Sequence, residues 1–203
     1  MSVCEFIPYS LNVKINNRMK IHEIKTPSLF FVHDLLAGKE VTKSCRKLAD
    51  LSDIFQDKSA FDKMPSETLL YEVYSYIPTQ EDSCGALNFG LTRISPGKVG
   101  QEYFMTKGHF HAQDSCAEYY WGIEGEGVLI LMDRQRNTWG ENMFPGSLHY
   151  IPGGVAHRVA NTGNKVLSFG ACWPSNAGHN YAEIAERGFS ARLFDMDGMP
   201  QLI

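Results

Sequence analysis

From Leu69 onward the chain alternates short apolar runs with turns rich in glycine, proline and asparagine, such as Pro152-Gly153-Gly154. Many short strands at this spacing are typical of an antiparallel sandwich or barrel, and small barrels bind ligands at the barrel mouth. We therefore expect an all-β fold with a ligand site at one open end. The strands predicted from these runs are Leu69–Ile77, Ala86–Ile94, Gln101–Met105, Glu118–Ile123, Gly127–Asp133, Ser147–Ile151, Lys165–Trp173 and Phe189–Phe194.

The segment before these strands has a different periodicity. Leu48, Leu51, Ile54 and Phe55 would form one apolar stripe on a helix, and Thr42 is a suitable N-cap residue. We therefore predict a helix from Thr42 to about Phe55.

A chain of 203 residues without repeats, low-complexity segments or linkers fits one domain. The predicted division is an N-terminal extension (1–65), a barrel core (66–195) and a tail (196–203). The net charge of -4 argues against a nucleic-acid partner and against a basic membrane-binding surface.

The cysteines are odd in number and contain no CxxC pair, which disfavours a disulfide framework and a thiolate zinc site. The longest apolar runs, such as Val128–Met132, are too short to span a bilayer. A soluble, cytoplasmic protein with reduced thiols is the expectation. The cysteines are Cys4, Cys45, Cys84, Cys116 and Cys172.

Four residues of the strand region could bind a metal ion: His109, His111, Glu118 and His157. Residues two apart on a strand face the same side, so both imidazoles of the HxH pair would point into the barrel while Phe110 points away. Singly, each residue has a plainer explanation: solvated or core histidines, an ion-paired glutamate, a loop histidine. Together they predict a metal site.

The residues around these four fit two sequence motifs. His109, His111, Glu118 and Gly125 fit the first, although Tyr103 stands where a turn glycine is expected. The chain therefore resembles the cupin superfamily, which implies a jelly-roll-like β-barrel, here with N-terminal helical and strand extensions, and a metal bound by the four residues. The second motif is matched at Gly146, Pro152, Gly154, His157 and Asn161.

Three imidazoles and one carboxylate, without a thiolate, suit Fe, Mn, Ni, Co or Zn and disfavour Ca and Mg. Four protein ligands leave positions open in a six-coordinate metal, which is typical of catalytic sites. We expect one divalent transition metal per chain, with iron as the first candidate.

The run from Phe104 to His111 (FMTKGHFH) is similar to the cupin-type glucose-6-phosphate isomerase family, known chiefly from archaea and found in some bacteria. The gap between His111 and Glu118 is usual in that family. Further segments that carry the resemblance are Arg46–Leu51, Tyr71–Tyr74, Leu87–Phe89, Pro96–Gly100, Ala177–Tyr181 and Glu186–Ser190.

This resemblance implies an aldose–ketose isomerase of glycolysis and gluconeogenesis that interconverts glucose 6-phosphate and fructose 6-phosphate. It also implies a homodimer and a phosphate held by a loop and several hydroxyls. Glu118 would be catalytic, either as a ligand that also carries a proton or as a ligand only while hydride shifts between carbons. The substrate contacts implied by position or local chemistry are Thr92, Thr106, Lys107, Gly108, Tyr120, Trp173 and His179.

Two departures from the family bear on the substrate. Trp173 stands where the family commonly has a tyrosine near the phosphate, and the segment Ser175–Asn180 lacks acidic residues that are usual there. An isomerase of another sugar or sugar phosphate is therefore an open alternative. A cupin oxygenase would prefer an apolar pocket, and a non-catalytic sugar-phosphate sensor would not need open metal positions.

Overall fold

The computed structural model describes residues 23–79, 83 and 85–203, so Cys4 and Cys84 lie outside the described residues. Its strand pairings are all antiparallel. The all-β class predicted from the sequence is confirmed. The strands are β1 (Leu29–Val32), β2 (Leu35–Gly38), β3 (Thr42–Lys47), β4 (Leu69–Tyr76), β5 (Leu87–Ile94), β6 (Lys98–Val99), β7 (Glu102–Tyr103), β8 (Glu118–Glu124), β9 (Gly127–Met132), β10 (Thr138–Met143), β11 (Leu148–Ile151), β12 (Ala156–Asn161), β13 (Leu167–Pro174), β14 (Leu193–Met196) and β15 (Met199–Leu202).

Two of the sheets enclose the core. A six-stranded sheet runs in the order β11-β8-β13-β5-β4-β3, and a three-stranded sheet runs β10-β9-β12. Buried side chains of the first sheet, such as Tyr71 and Phe169, join one apolar cluster with Leu129, Leu131 and Val159 of the second. Burial of that apolar surface is the main force that holds the two sheets together.

The remaining elements surround this pair of sheets. A four-stranded sheet of order β15-β14-β7-β6 and the β1-β2 hairpin complete the strands. Two short helices, α1 (Lys58–Asp62) and α2 (Ala182–Arg187), lie on the connections, and no helix in the described part of the chain is long and apolar enough to cross a bilayer. An isolated bridge between Met105 and Ala160 joins the chain after β7 to β12.

The predicted helix from Thr42 to about Phe55 is wrong. Residues Thr42–Lys47 form β3, which pairs with β4, and only Leu48–Leu51 turn helically, as one 3-10 segment. Pairing with the edge of β4 satisfies the backbone N–H and C=O groups of Thr42–Lys47. This gain outweighs the helix propensity of that segment. The predicted apolar stripe is nevertheless real, because Leu48, Leu51 and Phe55 are buried.

The segment Phe189–Phe194 is also mostly not a strand, since β14 begins only at Leu193. Side-chain contacts hold the preceding residues instead. The ring of Phe189 lies 4.2 Å from the Arg158 guanidinium, and the Ser190 hydroxyl donates to the Arg136 carbonyl oxygen at 2.6 Å.

Besides β3, the ranges of strands β1, β2, β6, β10, β12 and β15 and of helices α1 and α2 were not predicted. Strand β12 matters most, because it carries His157 and is buried at each of its six positions. The division into extension, core and tail stays a prediction. Strand β3, from the predicted extension, belongs to the six-stranded sheet, and the β14–β15 hairpin crosses the predicted boundary at residue 196.

Candidate metal centre and cavity

His109, His111, Glu118 and His157 come together between the six-stranded and the three-stranded sheet. One potential ligand atom from each lies within 4.8 Å of the corresponding atoms of the others. Two pieces of secondary structure bring them there: Glu118 opens β8, and His109 forms an isolated bridge with His157 of β12. We call these four residues the His/Glu cluster.

Backbone carbonyls orient two of the imidazoles. His111 Nδ1 lies 2.8 Å from the Cys116 carbonyl oxygen, and His157 Nδ1 lies 3.1 Å from the Val155 carbonyl oxygen. A carbonyl accepts a hydrogen bond, so Nδ1 carries the proton and Nε2 presents its lone pair. Both Nε2 atoms face Glu118 Oε1, at 3.3 Å from His111 and 2.5 Å from His157.

These donor atoms fit a metal ion. Glu118 Oε1 and His157 Nε2 are buried and have no other partner than each other, and with the His157 proton on Nδ1 they meet lone pair to lone pair, although buried polar atoms are nearly always paired. A metal bound by both atoms, together with His109 and His111, would satisfy them. Imidazole and carboxylate donors without thiolate suit divalent transition metals, so the predicted ligand set could hold one.

Burial and neighbouring charges set the protonation of the cluster. Burial lowers the pKa of His109 well below 6.5, and the nearby His157 and His179 lower it further, so His109 is neutral at neutral pH. Burial alone would raise the pKa of Glu118, but the positive charge and hydrogen bonds that His157 and His111 supply in their protonated forms outweigh it and hold that pKa well below its ordinary value. The cluster therefore presents an ionised carboxylate.

A cavity of about 250 Å³ opens from the cluster along the concave face of the six-stranded sheet. Its wall takes alternate residues from β3, β4, β5, β8 and β13, as expected for side chains that share one face of a sheet. His109, Glu118 and His157 reach this wall, as do all seven residues predicted to contact substrate. The complete wall is Ser44, Arg46, Tyr71, Val73, Ser75, Ile77, Gly90, Thr92, Thr106, Lys107, Gly108, His109, Glu118, Tyr120, His157, Phe169, Ala171, Trp173, His179 and Tyr181.

The loop Thr106–Gly108 is fixed against β12. Thr106 donates its backbone N–H to the Val159 carbonyl oxygen at 2.9 Å, and its hydroxyl accepts the Val159 N–H at 3.0 Å. The Arg158 guanidinium donates to the Lys107 carbonyl oxygen at 2.9 Å. Gly108 has φ 76°, and a Cβ there would lie 2.9 Å from Arg158 Nε, so this position requires glycine.

Comparison with known proteins identifies the family. A protein-family sequence model described as Glucose-6-phosphate isomerase (GPI) matches residues 45–201 of this chain. The chain belongs to this family. The glucose-6-phosphate isomerase of Thermococcus kodakarensis is 42% identical over 162 residues, which cover 79% of this chain and 85% of that protein. The resemblance seen in the sequence, and with it the cupin class, is confirmed.

Another relative carries the same family name. The glucose-6-phosphate isomerase of Pyrococcus furiosus is 39% identical over 163 residues, or 79% of this chain and 85% of that protein. Among solved structures, an oxalate decarboxylase of Bacillus subtilis has a TM-score of 0.44 and 20% identity, and covers 59% of this chain and 30% of that one. At that level of similarity nothing about function follows.

Two of the predicted contacts in this glucose-6-phosphate isomerase family member lie next to the cluster. Burial, and then the charge of Glu118, raises the pKa of Tyr120 well above 10, so the phenol stays protonated. The ring of His179 lies 4.4 Å from the ring of His109. Its position follows from backbone pairing, because Phe110 and Asn180 exchange hydrogen bonds at 3.2 and 2.8 Å.

Trp173 fits beside a glycine of the neighbouring strand β5. A Cβ on Gly90 would lie 3.0 Å from Trp173 Cζ3, so the glycine of β5 leaves room for the indole of β13. Thr92, two residues along β5, faces the same wall and is buried. Its orientation, which the sequence left open, is therefore towards the cavity.

Sequence reasoning missed several residues of the wall, notably Arg46, Tyr71 and Tyr181. Tyr181 stacks on His179 with ring centroids 5.7 Å apart, and the Lys107 ammonium lies 5.0 Å from the Tyr181 centroid. Tyr181 could have been predicted from its spacing, because residues two apart in an extended segment point to the same side and His179 was already a predicted contact. Arg46 was missed because β3 was predicted to be helical.

Proposed function

We propose that this chain is a metal-dependent aldose–ketose isomerase that interconverts glucose 6-phosphate and fructose 6-phosphate, a reaction of glycolysis and gluconeogenesis. The observation that supports it is a single cavity with the His/Glu cluster and the Thr106–Gly108 loop on the same wall. Membership of the glucose-6-phosphate isomerase family agrees with this assignment.

The four residues of the His/Glu cluster would hold one divalent transition metal, with iron as the first candidate and Mn, Ni, Co or Zn as others. When bound, such an ion polarises a carbonyl and stabilises negative charge on oxygen. The orphaned buried atoms of Glu118 and His157 support this part of the proposal.

In our proposed mechanism, the Glu118 carboxylate takes a proton from C1 of fructose 6-phosphate and returns it to C2, while a second proton moves between the two oxygens. The low pKa of Glu118 makes it a weak base, so binding must place the C–H bond against the carboxylate. The Tyr120 phenol, protonated beside Glu118, and His179 beside His109 would donate hydrogen bonds to sugar oxygens.

The phosphate would bind at the loop Thr106–Gly108. Glycine at position 108 lets an anion approach the backbone closely, and Lys107 contributes positive charge. Because Val159 donates to the Thr106 hydroxyl oxygen, the hydroxyl proton is left to donate to an anion. Thr92 and Trp173 would line the sugar between the two ends.

One observation favours a second candidate, an isomerase of the same architecture that acts on another sugar or sugar phosphate. Trp173 replaces a family tyrosine, and Gly90 makes room for its indole. Trp173 and Gly90 together would change the shape of the cavity between the His/Glu cluster and the phosphate loop, while the four cluster residues are all present.

A coupled assay for conversion of fructose 6-phosphate into glucose 6-phosphate tests the proposal. We expect activity that chelator abolishes and that Fe, Mn, Ni or Co restores, without oxygen consumption. A metal-loaded enzyme that leaves fructose 6-phosphate unchanged but isomerises another sugar phosphate would favour the second candidate. Oxygen uptake without isomerisation would replace both with an oxygenase.

We also propose a homodimer in the cytoplasm. Support for the dimer comes from Tyr119, Leu148 and Tyr150, exposed apolar side chains that share one face of the paired strands β8 and β11. Cys45, Cys116 and Cys172 are free, which agrees with a reducing compartment. Light scattering would test the dimer, with a Tyr150→Lys variant expected to lower the mass by half.

A further inference from the structure

The cavity has a second end at strand β3, which Lys107 and Tyr181 connect to the His/Glu cluster, since the ring centroids of Tyr181 and His109 are 5.3 Å apart. Strand β3 pairs with β4 and forms one edge of the six-stranded sheet, opposite the edge near β8. Its alternate residues Ser44 and Arg46 face the cavity, whereas Lys43 lies on the other face and forms an ion pair with Glu72 at 2.5 Å. We call Arg46, Tyr71, Lys107 and Tyr181 the rim end.

In the part of the chain that the structure describes, the guanidinium of Arg46 makes few contacts with the rest of the protein. Within the described residues its side chain makes one hydrogen bond, from Nη1 to the Cys45 carbonyl oxygen at 2.9 Å, and it forms no ion pair with a carboxylate. Arg46 is exposed to solvent, and its planar guanidinium fork matches the geometry of a carboxylate or a phosphate. The remaining N–H groups of Arg46 are therefore open to a ligand.

The charge of Arg46 acts on the same groups that surround the Thr106–Gly108 loop. In strand register Arg46 lies opposite Tyr71, whose phenol contacts the Lys107 backbone N–H. Arg46 and Tyr181 line the same cavity, and the positive charge of Arg46 opposes the rise that burial causes in the pKa of Tyr181. The Lys107 ammonium lies over the same tyrosine ring.

The charges of the wall are divided between its two ends. Among the described residues that line the cavity, Glu118 is the one carboxylate, and it belongs to the His/Glu cluster. Arg46 and Lys107, both at the rim end, are the lysine and arginine side chains of the wall. An anionic group is favoured at the rim end and a metal ion at the cluster.

We propose that Arg46 is a specificity-determining residue that binds the phosphate dianion of the sugar phosphate, opposite the Thr106–Gly108 loop. This inference rests on the proposed function. It adds a bidentate, charge-assisted contact to the proposed phosphate site. The phosphate is remote from the carbons that react. Arg46 therefore binds ground state and transition state alike, and its loss raises KM and leaves kcat nearly unchanged.

The test compares Arg46→Gln with Lys43→Gln, which removes the same charge from the same strand on the opposite face. We expect Arg46→Gln to raise KM for fructose 6-phosphate about 10- to 100-fold, as for the loss of a hydrogen bond to a charged group, with kcat changed less than about threefold. Lys43→Gln should match the wild type. Arg46→Lys should recover part of the loss, because it restores the charge without the fork.

Direct binding of inorganic phosphate, measured by calorimetry on the metal-loaded proteins, separates this inference from the proposed function. Weaker phosphate binding in Arg46→Gln than in Lys43→Gln supports the role of Arg46, even if the wild type proves inactive on fructose 6-phosphate. Equal dissociation constants in both variants and the wild type would overturn it. An active wild type with an unchanged KM in Arg46→Gln would overturn it as well and leave the isomerase proposal standing.

Discussion

At the cluster end of the cavity the functional side chains lie on paired segments deep between two sheets, whereas at the rim end they project from the edge strand β3, its neighbour β4 and two loops. His157 and Glu118 are 1% and 4% exposed, while Arg46 is exposed to solvent. The cluster is held by backbone carbonyls and by the bridge between His109 and His157. Deep placement fixes geometry for chemistry, and an open rim leaves room for a charged ligand to enter.

The largest expected effect concerns the cluster end. A His109→Ala/His111→Ala double variant removes two of four ligands, so it should lose nearly all bound metal and all measurable isomerase activity. Arg46→Gln, at the rim end, should keep its metal. Metal analysis of purified protein decides the matter, and full occupancy in the double variant would refute the assigned ligand set.

Glu118→Gln should have the next largest effect. The variant keeps an oxygen that can reach a metal but loses charge and basicity, so turnover should fall by about 10²–10⁴-fold while appreciable metal remains. Substrate with deuterium at the migrating position should lose label to water in the wild type. Complete retention of label, together with rescue of the variant by added metal, would leave Glu118 a ligand only.

At the rim end, Tyr71 should make stability sensitive to alkaline pH. Burial raises the pKa of Tyr71 to about 12. Between pH of about 10 and 12 the unfolded chain loses this proton while the folded protein keeps it, so stability falls as pH rises, by up to about 3 kcal/mol. Tyr71→Phe should lose less stability over that interval than the wild type in urea titrations.

Thr106→Val should have the smallest effect, a rise in KM for fructose 6-phosphate of about tenfold with metal content unchanged. The hydroxyl also accepts the Val159 N–H, so the variant should be somewhat less stable. Thr106→Ser keeps the hydroxyl and serves as the control. If free fructose were converted as well as its phosphate, the anion site at this loop would be wrong.

The difference between the two ends also explains what the sequence could predict. The cluster was predicted because its four residues have fixed spacings within two short motifs, and one strand period orients the HxH pair. Arg46 has no such local signature. Its orientation depends on the pairing of β3 with β4, some 25 residues away, and the apolar spacing of Leu48, Leu51 and Phe55 favoured a helix instead.

The same reasoning applies to the strands. Runs such as Glu118–Ile123 and Gly127–Asp133 were predicted nearly to their observed ends because they are apolar and bounded by turns. Strand β12 was missed because Arg158 and His157 make it look polar. Its arginine is buried by tertiary contacts, with the Lys107 carbonyl oxygen and the Phe189 ring as partners. No short-range pattern contains those contacts.

Strand β3 has consequences for how such an enzyme could diverge. Among the residues that the structure describes, this edge strand has a hydrogen-bonded neighbour on one side only, so substitutions at its two cavity-facing positions disturb few other residues. Substitutions in the His/Glu cluster would disturb more of the fold, because its residues lie on β8, on β12 and in the chain before β8. Descendants of one ancestor could therefore exchange the charged group they select at β3 while inheriting the same reaction centre unaltered.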